Sequence, residues 1–465
     1  MRILITGATG LIGREVGKRL VGSGHEIVVV SRNPARAKAD LPFPAQCFTW
    51  KGDADAFPKE ALRGIQGVVH LAGESIGDGR WTEERKKKIR DSRIEGTKRL
   101  VEGILATPDV LTSLKVFVLG SAMGFYGDRG DETLDETSTP GAGFLAELVR
   151  DWEDQTRPLR EASPTTRIPI VRTGLVLSRR GGALAKMLPL FTKGLGGKLG
   201  QGNQWMSWVH VSDIARLFAF CIEDEGTSGV VNGTAPEPVK NDRFTIELAR
   251  ALGKAVFLPV PETALKVALG ELAETILGGQ RVLPKRTQEM GFHFDHPDFV
   301  KAIRELCEPL QNGQHEFVAE QWVPRRPEEI FPFFSVETNL ERLTPPFLSF
   351  KVVGKSTPDI REGTLIDYKL SLHGLPVKWQ TRIESWQPES HRFVDSQLKG
   401  PYRTWHHTHE FLPLAGGTLI RDRVLYKLPL GFFGDVTAGW KVAGDVGQIF
   451  HFRREVIQGL FGAPV

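Results

Sequence analysis

Short runs of apolar, mostly β-branched residues alternate with amphipathic helical stretches over the first half of the chain. Four such runs are Ile3–Ile5, Ile27–Val30, Val68–Leu71 and Val116–Leu119. Each is apolar at consecutive positions, as expected for strands that are covered by helices on both faces. Alternation of this kind is typical of parallel strands joined by crossover helices. We therefore predict an α/β domain with a doubly wound parallel sheet.

The pattern changes twice further along the chain. After Leu258, several prolines and two helical stretches predict a small helical appendix. The polar segment Glu308–His315, which contains proline and glycine, predicts an interdomain linker. Beyond it, helix Pro327–Phe334 and a terminal helix from about Val436 to Leu460 accompany a series of strands: Glu316–Val323, Leu365–Leu372, Val377–Trp386, Thr404–Phe411 and Leu419–Leu425. We predict domains at 1–257, 258–307 and 315–465, the last an α+β domain with a cavity between its sheet and its long helix.

Composition narrows the classes of protein to consider. A chain of 465 residues is too long to fold around one ordinary hydrophobic core, which favours two or three domains. The 60 basic and 56 acidic residues are spread along the chain, so nucleic acid is not an expected partner. Three distant cysteines, Cys47, Cys221 and Cys307, are predicted to be free thiols in a reducing compartment. Because the sequence shows neither a signal-like segment nor an apolar run of about 20 residues, we expect a cytoplasmic protein without membrane insertion.

A glycine-rich segment, TGATGLIG, connects the first predicted strand to a helix. Glycine allows the tight turn, the close approach of a phosphate and the close packing of helix on strand, and the helix N-terminus favours an anion. This context predicts a dinucleotide site at Gly7, Thr9, Gly10, Leu11, Ile12 and Gly13. The second strand ends in Ser31 and Arg32 instead of an acidic residue, which favours the 2′-phosphate of NADP(H). The alternative for Arg32 is a surface arginine beside a turn.

Four motifs occur in a fixed order: TGATGLIG, HLAG at His70–Gly73, GSAMGFYG at Gly120–Gly127 and WVHVSDIA at Trp208–Ala215. Together they resemble the Rossmann-fold extended short-chain dehydrogenase/reductases. HLAGESIGDGRWTEERK and GFLAELVRDWE are similar to an atypical, epimerase-like branch, sometimes labelled SulA-type cell-division inhibitors, and GELAETILGGQRVLPKR resembles its C-terminal domain of unknown function. The resemblance covers residues 1–306. It implies NADP(H) contacts from Leu71, Ala72 and Gly73, and from Arg172 on the nicotinamide side.

The same resemblance exposes a departure in the catalytic positions. The larger family uses a Ser or Thr, a Tyr and a Lys four residues after the Tyr for proton transfer. Ser121 matches the first position, but Phe144 and Leu148 occupy the other two and cannot transfer protons. Tyr126, in the same loop as Ser121, is the candidate substitute; the alternative is a packing tyrosine. We therefore predict Ser121 and Tyr126 as the catalytic residues.

Substrate contacts are predicted at two places. Arg93 stands where the wider family often has Asn, and it could meet an anionic or planar substrate; structural salt bridging is the alternative. The glycine-rich segment before Gln204 and Trp205 resembles the loop that closes the family's substrate cleft, with tryptophan as a flat apolar surface. A tight hairpin with buried tryptophans is the alternative there.

The C-terminal region resembles the START-like, or SRPBCC, superfamily with its helix-grip fold. The resembling stretches are NLERLTPP at Asn339–Pro346, GLPVKW at Gly374–Trp379 and GPYRTWHHTHEF at Gly400–Phe411. The resemblance implies an apolar ligand between sheet and helix. Period-two geometry places His407 and His409 on one strand face and His406 on the other. Since no third ligand is evident nearby, we predict no metal site.

The combined expectation is an NADP(H)-binding, epimerase-like or oxidoreductase-like protein that acts on a small molecule and holds an apolar ligand in its C-terminal domain. The alternative is a non-catalytic NADP(H) sensor, in which the state of the dinucleotide changes ligand binding by the START-like domain. The absent Tyr and Lys favour the sensor, whereas the substrate loop favours the enzyme.

Overall fold

The computed structural model describes residues 1–52, 55–256 and 259–462, without the side chains of Phe432 and Val436. Its contacts divide the chain into two units. The first comprises Met1–Lys38 and Ala45–Glu308; the second comprises Ala39–Pro44 and the described residues from Pro309 onward. The helical appendix predicted at 258–307 belongs to the first unit, and the boundary predicted at residues 257 and 258 lies outside the described residues.

Seven parallel strands form the sheet of the first unit. In chain order they are β1 (Arg2–Thr6), β2 (Glu26–Ser31), β3 (Gln46–Thr49), β4 (Gly67–His70), β5 (Val116–Ala122), β6 (Pro169–Thr173) and β7 (Gly229–Gly233). Their order across the sheet is β7-β6-β5-β4-β1-β2-β3. This Rossmann order confirms the predicted doubly wound sheet. It also creates a switch point between β1 and β4, where ligands bind in open α/β sheets.

Helices cover both faces of this sheet. In chain order, the helices up to residue 308 are α1 (Leu11–Gly22), α2 (Pro34–Asp40), α3 (Glu83–Leu105), α4 (Pro108–Ser113), α5 (Phe144–Asp154), α6 (Arg157–Ala162), α7 (Gly182–Thr192), α8 (Val211–Glu223), α9 (Asn241–Ala251), α10 (Glu262–Leu269), α11 (Leu272–Leu277), α12 (Lys285–Glu289) and α13 (Phe299–Cys307). Leu100 and Ile104 of α3 and Trp152 of α5 pack with Leu4 and Phe117 of the strands in one core cluster. Helices α1 and α8 contact each other, and they contact β1 and β5, respectively.

Three short ladders complete the first unit. Thr133–Leu134 pairs with Arg281–Val282, Leu175–Leu177 with Trp208–His210, and Trp205–Met206 with Val239–Lys240. The amide of Val282 also donates to the Ser207 hydroxyl at 2.8 Å. The first of these ladders, the Val282 bond and the ring of Phe299 at 5.4 Å from Trp208 attach the segment after residue 259 to the rest of the first unit.

The second unit contains a seven-stranded antiparallel sheet. Its strands are β8 (His315–Val323), β9 (Lys351–Lys355), β10 (Leu365–Leu372), β11 (Leu375–Gln387), β12 (Arg392–Lys399), β13 (Thr404–Leu414) and β14 (Gly417–Lys427), in the order β8-β14-β13-β12-β11-β10-β9. The sequence pattern predicts five of them and misses β9 and β12. The helices of this unit are α14 (Pro327–Phe334), α15 (Asn339–Arg342) and α16 (Phe432–Phe461).

Helix α16 packs along one face of the antiparallel sheet. The ring of Phe450 lies 4.8 Å from that of Phe317 on β8, and Ile457 joins Phe411 and Ile420 in a buried cluster. The helix is longer at both ends than the predicted Val436–Leu460. Among the described residues, no helix combines the length and apolar character that crossing a bilayer requires.

Candidate functional site

The turn between β1 and α1 leaves no room for a side chain at its first glycine. Gly7 has φ +70°, and a methyl group on it would lie 2.7 Å from the carbonyl carbon of Leu71 and 2.9 Å from the amide nitrogen of Ala72. A methyl group on Gly13 would lie 2.3 Å from the Gly7 oxygen. The turn therefore fits glycine at both positions. It directs the amino end of α1, which has no acidic residue in its first turn, toward the switch point.

A buried chain of hydrogen bonds fixes the end of β4 next to this turn. The Thr6 hydroxyl oxygen accepts from the amides of Leu71 and Ala72, both at 3.1 Å, and lies 2.7 Å from His70 Nδ1. Two accepted bonds leave the Thr6 hydroxyl as the donor to Nδ1, so the neutral His70 ring carries its proton on Nε2. That nitrogen lies 2.9 Å from the Thr97 hydroxyl.

Complete burial lowers the pKa of His70 to about 3. The ring is therefore neutral at physiological pH, and it positions the backbone of the predicted HLAG contacts. His70 is part of the HLAG motif, but the sequence does not indicate this positioning role, because Thr6 and Thr97 come from distant parts of the chain.

Arg32, at the end of β2, is free to meet a ligand from solvent. Its side chain is 81% exposed, and its guanidinium lies 3.9 Å from the Glu74 carboxylate. Glu74 also accepts from Arg85 at 3.2 Å, so Arg32 holds the weaker of two ion pairs with this carboxylate. The Ser31 hydroxyl is engaged locally, where it accepts from the Asn33 amide at 3.2 Å. The structure thus leaves Arg32 available for an anion such as a 2′-phosphate.

The fold brings Ser121, Tyr126 and Arg172 together in the protein interior, where their polar groups form hydrogen bonds within the protein. The Ser121 hydroxyl donates to Glu153 at 2.6 Å, and Arg172 forms two hydrogen bonds with the same carboxylate at 2.9 and 2.8 Å. Arg172 also donates to the Tyr126 hydroxyl at 3.1 Å, and that hydroxyl donates to Asn232 at 2.8 Å. The guanidinium lies over the Phe125 ring, with its central carbon 3.3 Å from the ring centroid.

These contacts oppose the predicted roles of the three residues. Tyr126 has 0% exposed surface, and both partners of its hydroxyl are protein groups; burial, partly offset by Arg172, raises the pKa of the phenol. Arg172, predicted to contact the cofactor, is held by Glu153, and both side chains are nearly buried. Ser121 is also buried. As a correction, we assign the three residues to a buried polar network, which Glu153 and Asn232 complete and which local sequence does not reveal.

Helix α5 carries packing residues at the positions of the family's usual proton-transfer pair. Leu148 has 0% exposed surface and belongs to a cluster with Trp81, Ile89 and Leu272. The ring of Phe144 lies 5.3 Å from Trp81 in an edge-to-face arrangement. Both residues are therefore packing residues.

Arg93 is a buried cation beside the HLAG backbone. A methyl group on Gly73 would lie 3.2 Å from its guanidinium carbon, and the guanidinium sits 5.3 Å from the Trp152 ring centroid. Its NH1 donates to the Ile89 carbonyl at 3.1 Å. Burial lowers its pKa to about 10, so it still carries its charge at neutral pH. Among the described residues, no carboxylate lies within ion-pair distance of it.

Gln204 and Trp205 are engaged by the protein itself. Gln204 Nε2 donates to the carbonyls of Leu199 and Ile276, at 3.2 and 3.4 Å. The Trp205 indole donates to Asp131 at 2.6 Å, and its ring lies near the cations of Lys240 and Arg281. The prediction of substrate contacts here gains no support from this arrangement.

The second unit contains a partly open cavity of about 200 Å³. Its walls are mainly aromatic and aliphatic and come from the sheet, the short helices and α16, with Phe334, Leu340, Tyr368, Trp379, Trp405 and Phe450 among them. Asp395, His407, His409 and Arg453 line the same cavity. The Nε of Arg453 is buried and has no hydrogen-bond partner among the described residues. An apolar space with a small polar region is typical of a site for a mainly apolar ligand.

The histidines of β13 occupy the two faces that the sequence predicts. His406, with its side chain 42% exposed, lies 2.9 Å from the Ser396 hydroxyl and 3.2 Å from Glu384. His407 and His409 are buried on the cavity face, with ring centroids 3.7 Å apart. Burial and the neighbouring His409 lower the pKa of His407 to about 4.

Two aspartates flank these imidazoles. Burial alone would raise the pKa of both Asp395 and Asp422, but hydrogen bonds from the histidines and the charge of Arg453 outweigh it and hold both pKa values below the usual range. Both carboxylates are therefore ionised at neutral pH. The sequence alone does not reveal this cluster, because its pattern does not predict β12, which carries Asp395.

Two family models match this chain. The NAD dependent epimerase/dehydratase family matches residues 3–232, and a domain of unknown function, DUF1731, matches residues 260–306. The chain is 39% identical over 309 residues to the chloroplastic epimerase family protein SDR39U1 homolog of Arabidopsis thaliana, covering 66% of this chain and 87% of that protein. It is 34% identical to human epimerase family protein SDR39U1, covering 66% of this chain and 99% of that protein.

The comparison with solved structures points to the same family. Human SDR39U1 (isoform 2), crystallised with NADPH, superposes with a TM-score of 0.59 at 33% identity and covers 66% of this chain and 99% of that chain. A nucleoside-diphosphate sugar epimerase from Corynebacterium glutamicum superposes with a TM-score of 0.53 at 34% identity, covering 66% of this chain and 58% of that chain. Each of these matches covers two thirds of this chain.

Proposed function

The chain belongs to the NAD dependent epimerase/dehydratase family, and on this premise we propose that its first unit binds NADP(H) and uses it in an oxidoreductase or epimerase-type reaction on a small molecule. The observation that carries the proposal is the turn at Gly7 and Gly13, whose backbone leaves no space for a Cβ atom and faces the helix N-terminus. The human relative crystallised with NADPH supports this choice of cofactor.

Several residues of this chain fit the cofactor. The amino end of α1, from Gly10 to Ile12, would hold the pyrophosphate, and the Leu71–Gly73 backbone would lie beside it. Arg32 would bind the 2′-phosphate and exchange its 3.9 Å contact with Glu74 for a doubly charged partner. When bound, the nicotinamide supplies hydride transfer.

Arg93 is our candidate for the contact with the substrate. It is a charged guanidinium beside Gly73 that forms no ion pair among the described residues, so an anionic or carbonyl oxygen of the substrate would complete its hydrogen bonding. The hydroxyl groups of Ser121 and Tyr126, by contrast, already have protein partners. Small molecules with an anionic group next to a reducible carbonyl therefore fit best.

Two product assays test the catalytic part of the proposal. The full chain is incubated with 4-deuterated NADPH and a set of aldehydes, ketones and enones, and separately with NADP⁺ and nucleotide sugars. We expect deuterium in one product class, or an epimerised sugar. Arg93→Met should lower turnover while leaving the dissociation constant for NADPH unchanged. NADPH binding without either product over the whole set would contradict catalysis.

The packing of Phe144 and Leu148 favours a second candidate, a non-catalytic NADP(H) sensor. In this case NADPH changes the ligand affinity of the second unit without being consumed. Titration of the full chain with anilinonaphthalene sulfonate, with and without saturating NADPH, tests it. A shift in the dissociation constant of the dye supports the sensor; identical curves oppose it.

For the second unit we propose a START-like domain that binds an apolar ligand. The antiparallel sheet, the long α16 and the cavity between them support this proposal. Native mass spectrometry of the full chain, followed by organic extraction, should release an apolar compound that is absent from the isolated first unit. Recovery of the same compounds from both samples would contradict it. The cytoplasmic location stays a prediction.

A further inference from the structure

Two histidines and an aspartate converge at the wall of the cavity in the second unit. Asp395 of β12 stands opposite His407 of β13 in the strand register. Asp395 Oδ2 lies 3.0 Å from His409 Nε2 and 3.9 Å from His407 Nδ1, and the three ligand atoms lie within 4.8 Å of one another. At zinc–ligand bonds of about 2.0–2.1 Å, tetrahedral geometry sets ligand atoms about 3.3 Å apart. The two measured separations bracket this value.

A second carboxylate lies behind both imidazoles. Asp422 Oδ1 is 3.1 Å from His407 Nε2 and 2.9 Å from His409 Nδ1. Arg453 NH2 donates to the same oxygen at 3.1 Å and also lies 3.3 Å from His409 Nδ1. A carboxylate behind a ligating imidazole fixes the ring and directs its other nitrogen toward a metal. Each ring presents to Asp395 the nitrogen that Asp422 does not contact.

The charges of the cluster leave a place for a cation. Two carboxylates, Asp395 and Asp422, stand against one guanidinium, Arg453, in this cluster. Asp422 and the three side chains that contact it, His407, His409 and Arg453, are all buried, and an uncompensated charge in such surroundings is costly. A divalent cation between Asp395 and the histidines would compensate it.

From these observations we propose that Asp395, His407 and His409 bind one divalent transition-metal ion, of the zinc or iron(II) class. Two imidazoles and one carboxylate are a common protein ligand set for these ions, and they leave at least one coordination position open. Asp395, His407 and His409 all line the cavity, so the open position faces the space in which a ligand would lie.

Another cluster in the first unit serves as an internal control. His210, His296 and Glu305 also lie within ligand distance of one another. The Glu305 side chain of this cluster is 63% exposed. Asp213, the other carboxylate beside His296, accepts hydrogen bonds from two backbone amides. The carboxylate of this cluster is therefore open to solvent, and the cluster of the second unit, whose Asp395 is 17% exposed, is the better metal site.

The test uses the full chain, stripped of metal with a chelator and titrated with zinc chloride or cobalt(II) chloride. We expect one tightly bound zinc per chain and visible d–d absorption of bound cobalt. Asp395→Asn and His407→Gln should each weaken binding by roughly tenfold or more and abolish the cobalt spectrum. His406→Gln, on the same strand but the opposite face, and His296→Gln should leave both unchanged.

Near-ultraviolet circular dichroism shows which variants keep the native fold. His407→Cys is a second variant at the same position that still offers a metal ligand. A thiolate at this position should restore zinc binding and shift the cobalt spectrum through a sulfur-to-metal transition. Three results would overturn the proposal: no zinc binding by the wild type, binding unaltered in folded Asp395→Asn and His407→Gln, or binding lost only in His296→Gln.

Discussion

Single side chains determine which ligands the first unit can bind and which buried polar groups need hydrogen-bond partners. Gly7 allows the backbone of β1 to approach Leu71 and Ala72, and Arg32 offers an exposed cation at the end of the neighbouring strand. Tyr126 illustrates the opposite case, because its hydroxyl already forms hydrogen bonds with Asn232 and Arg172 inside the protein. The same residue types that suggest chemistry in a sequence thus divide into exposed binding groups and buried structural ones.

Gly7→Ala should abolish NADPH binding and destabilise the protein. The new methyl group would lie 2.7 Å from the carbonyl carbon of Leu71, and alanine at φ +70° is strained by about 1–2 kcal/mol even without this clash. Gly22→Ala is the matched control, since a methyl group there meets nothing within 4 Å. It should leave binding intact. Calorimetry and thermal unfolding measure both effects, and full NADPH affinity in Gly7→Ala would contradict the assigned turn.

Tyr126→Phe should cost about 1–3 kcal/mol of stability, because Asn232 and Arg172 lose a buried partner. NADPH affinity should not change, nor should turnover on any substrate found. Denaturant unfolding and steady-state kinetics measure these quantities. A drop in turnover of about two to four orders of magnitude with unchanged stability would restore Tyr126 as a catalytic group.

At the scale of elements, the end of β4 depends on an uncharged histidine. Thr6 of β1, His70 of β4 and Thr97 of α3 form one chain of hydrogen bonds, and the Trp152 indole of α5 donates to Thr97 at 2.8 Å. This chain connects two strands and two helices immediately behind the backbone that we assign to the cofactor. Its protonation state therefore affects both stability and the cofactor site.

The pH dependence of stability follows from the pKa of His70, which is about 3 in the folded protein against an ordinary 6.5. Between these values the unfolded chain binds a proton that the folded chain does not. Stability is therefore complete above pH 6.5 and falls below it, by about 1.4 kcal/mol per pH unit from this group. His70→Gln should be less stable at pH 7 but lose less between pH 7 and 5. Equal shifts of the unfolding midpoint in both proteins would contradict this role.

Sequence reasoning succeeds for elements whose residues are neighbours along the chain. The glycine turn, the alternation of strands and helices, and the opposite faces of His406 and His407 are local patterns, and all are confirmed. Asp395 could not be assigned, because its partner depends on strand register and β12 has no clear alternation. Glu153 and Asn232 were missed for the same reason: the folded chain brings them to Ser121 and Tyr126 from 32 and 106 residues away.

At the scale of the whole molecule, the chain joins two units with separate cores. One core forms around the parallel sheet and includes Leu4, Phe117 and Trp152. Others form between the antiparallel sheet and α16, around Phe411 and Phe450. The family relationship covers the first unit, while the proposed metal and apolar-ligand sites belong to the second.

Although Ala39–Pro44 groups with the second unit, each of these core clusters lies within a single fragment. Residues 1–308 and 309–465 should therefore fold as separate fragments, and the first should retain NADPH binding. Circular dichroism and calorimetry on each fragment measure this. In the intact chain, limited proteolysis should cut first between Glu308 and His315, where the chain forms short turns. Aggregation of both fragments, with no cleavage in this segment, would show that the units depend on each other for folding.

The most direct test of the central claim is calorimetric titration of the full chain with NADPH and with NADH. A charge-assisted contact between Arg32 and the 2′-phosphate is worth on the order of 1.5–3 kcal/mol, so NADPH should bind at least about tenfold more tightly. Arg32→Ala should remove most of this preference, while Arg19→Ala, near the other end of α1, should keep it. Equal dissociation constants for the two cofactors in the wild type, or an unchanged preference in Arg32→Ala, would contradict the account.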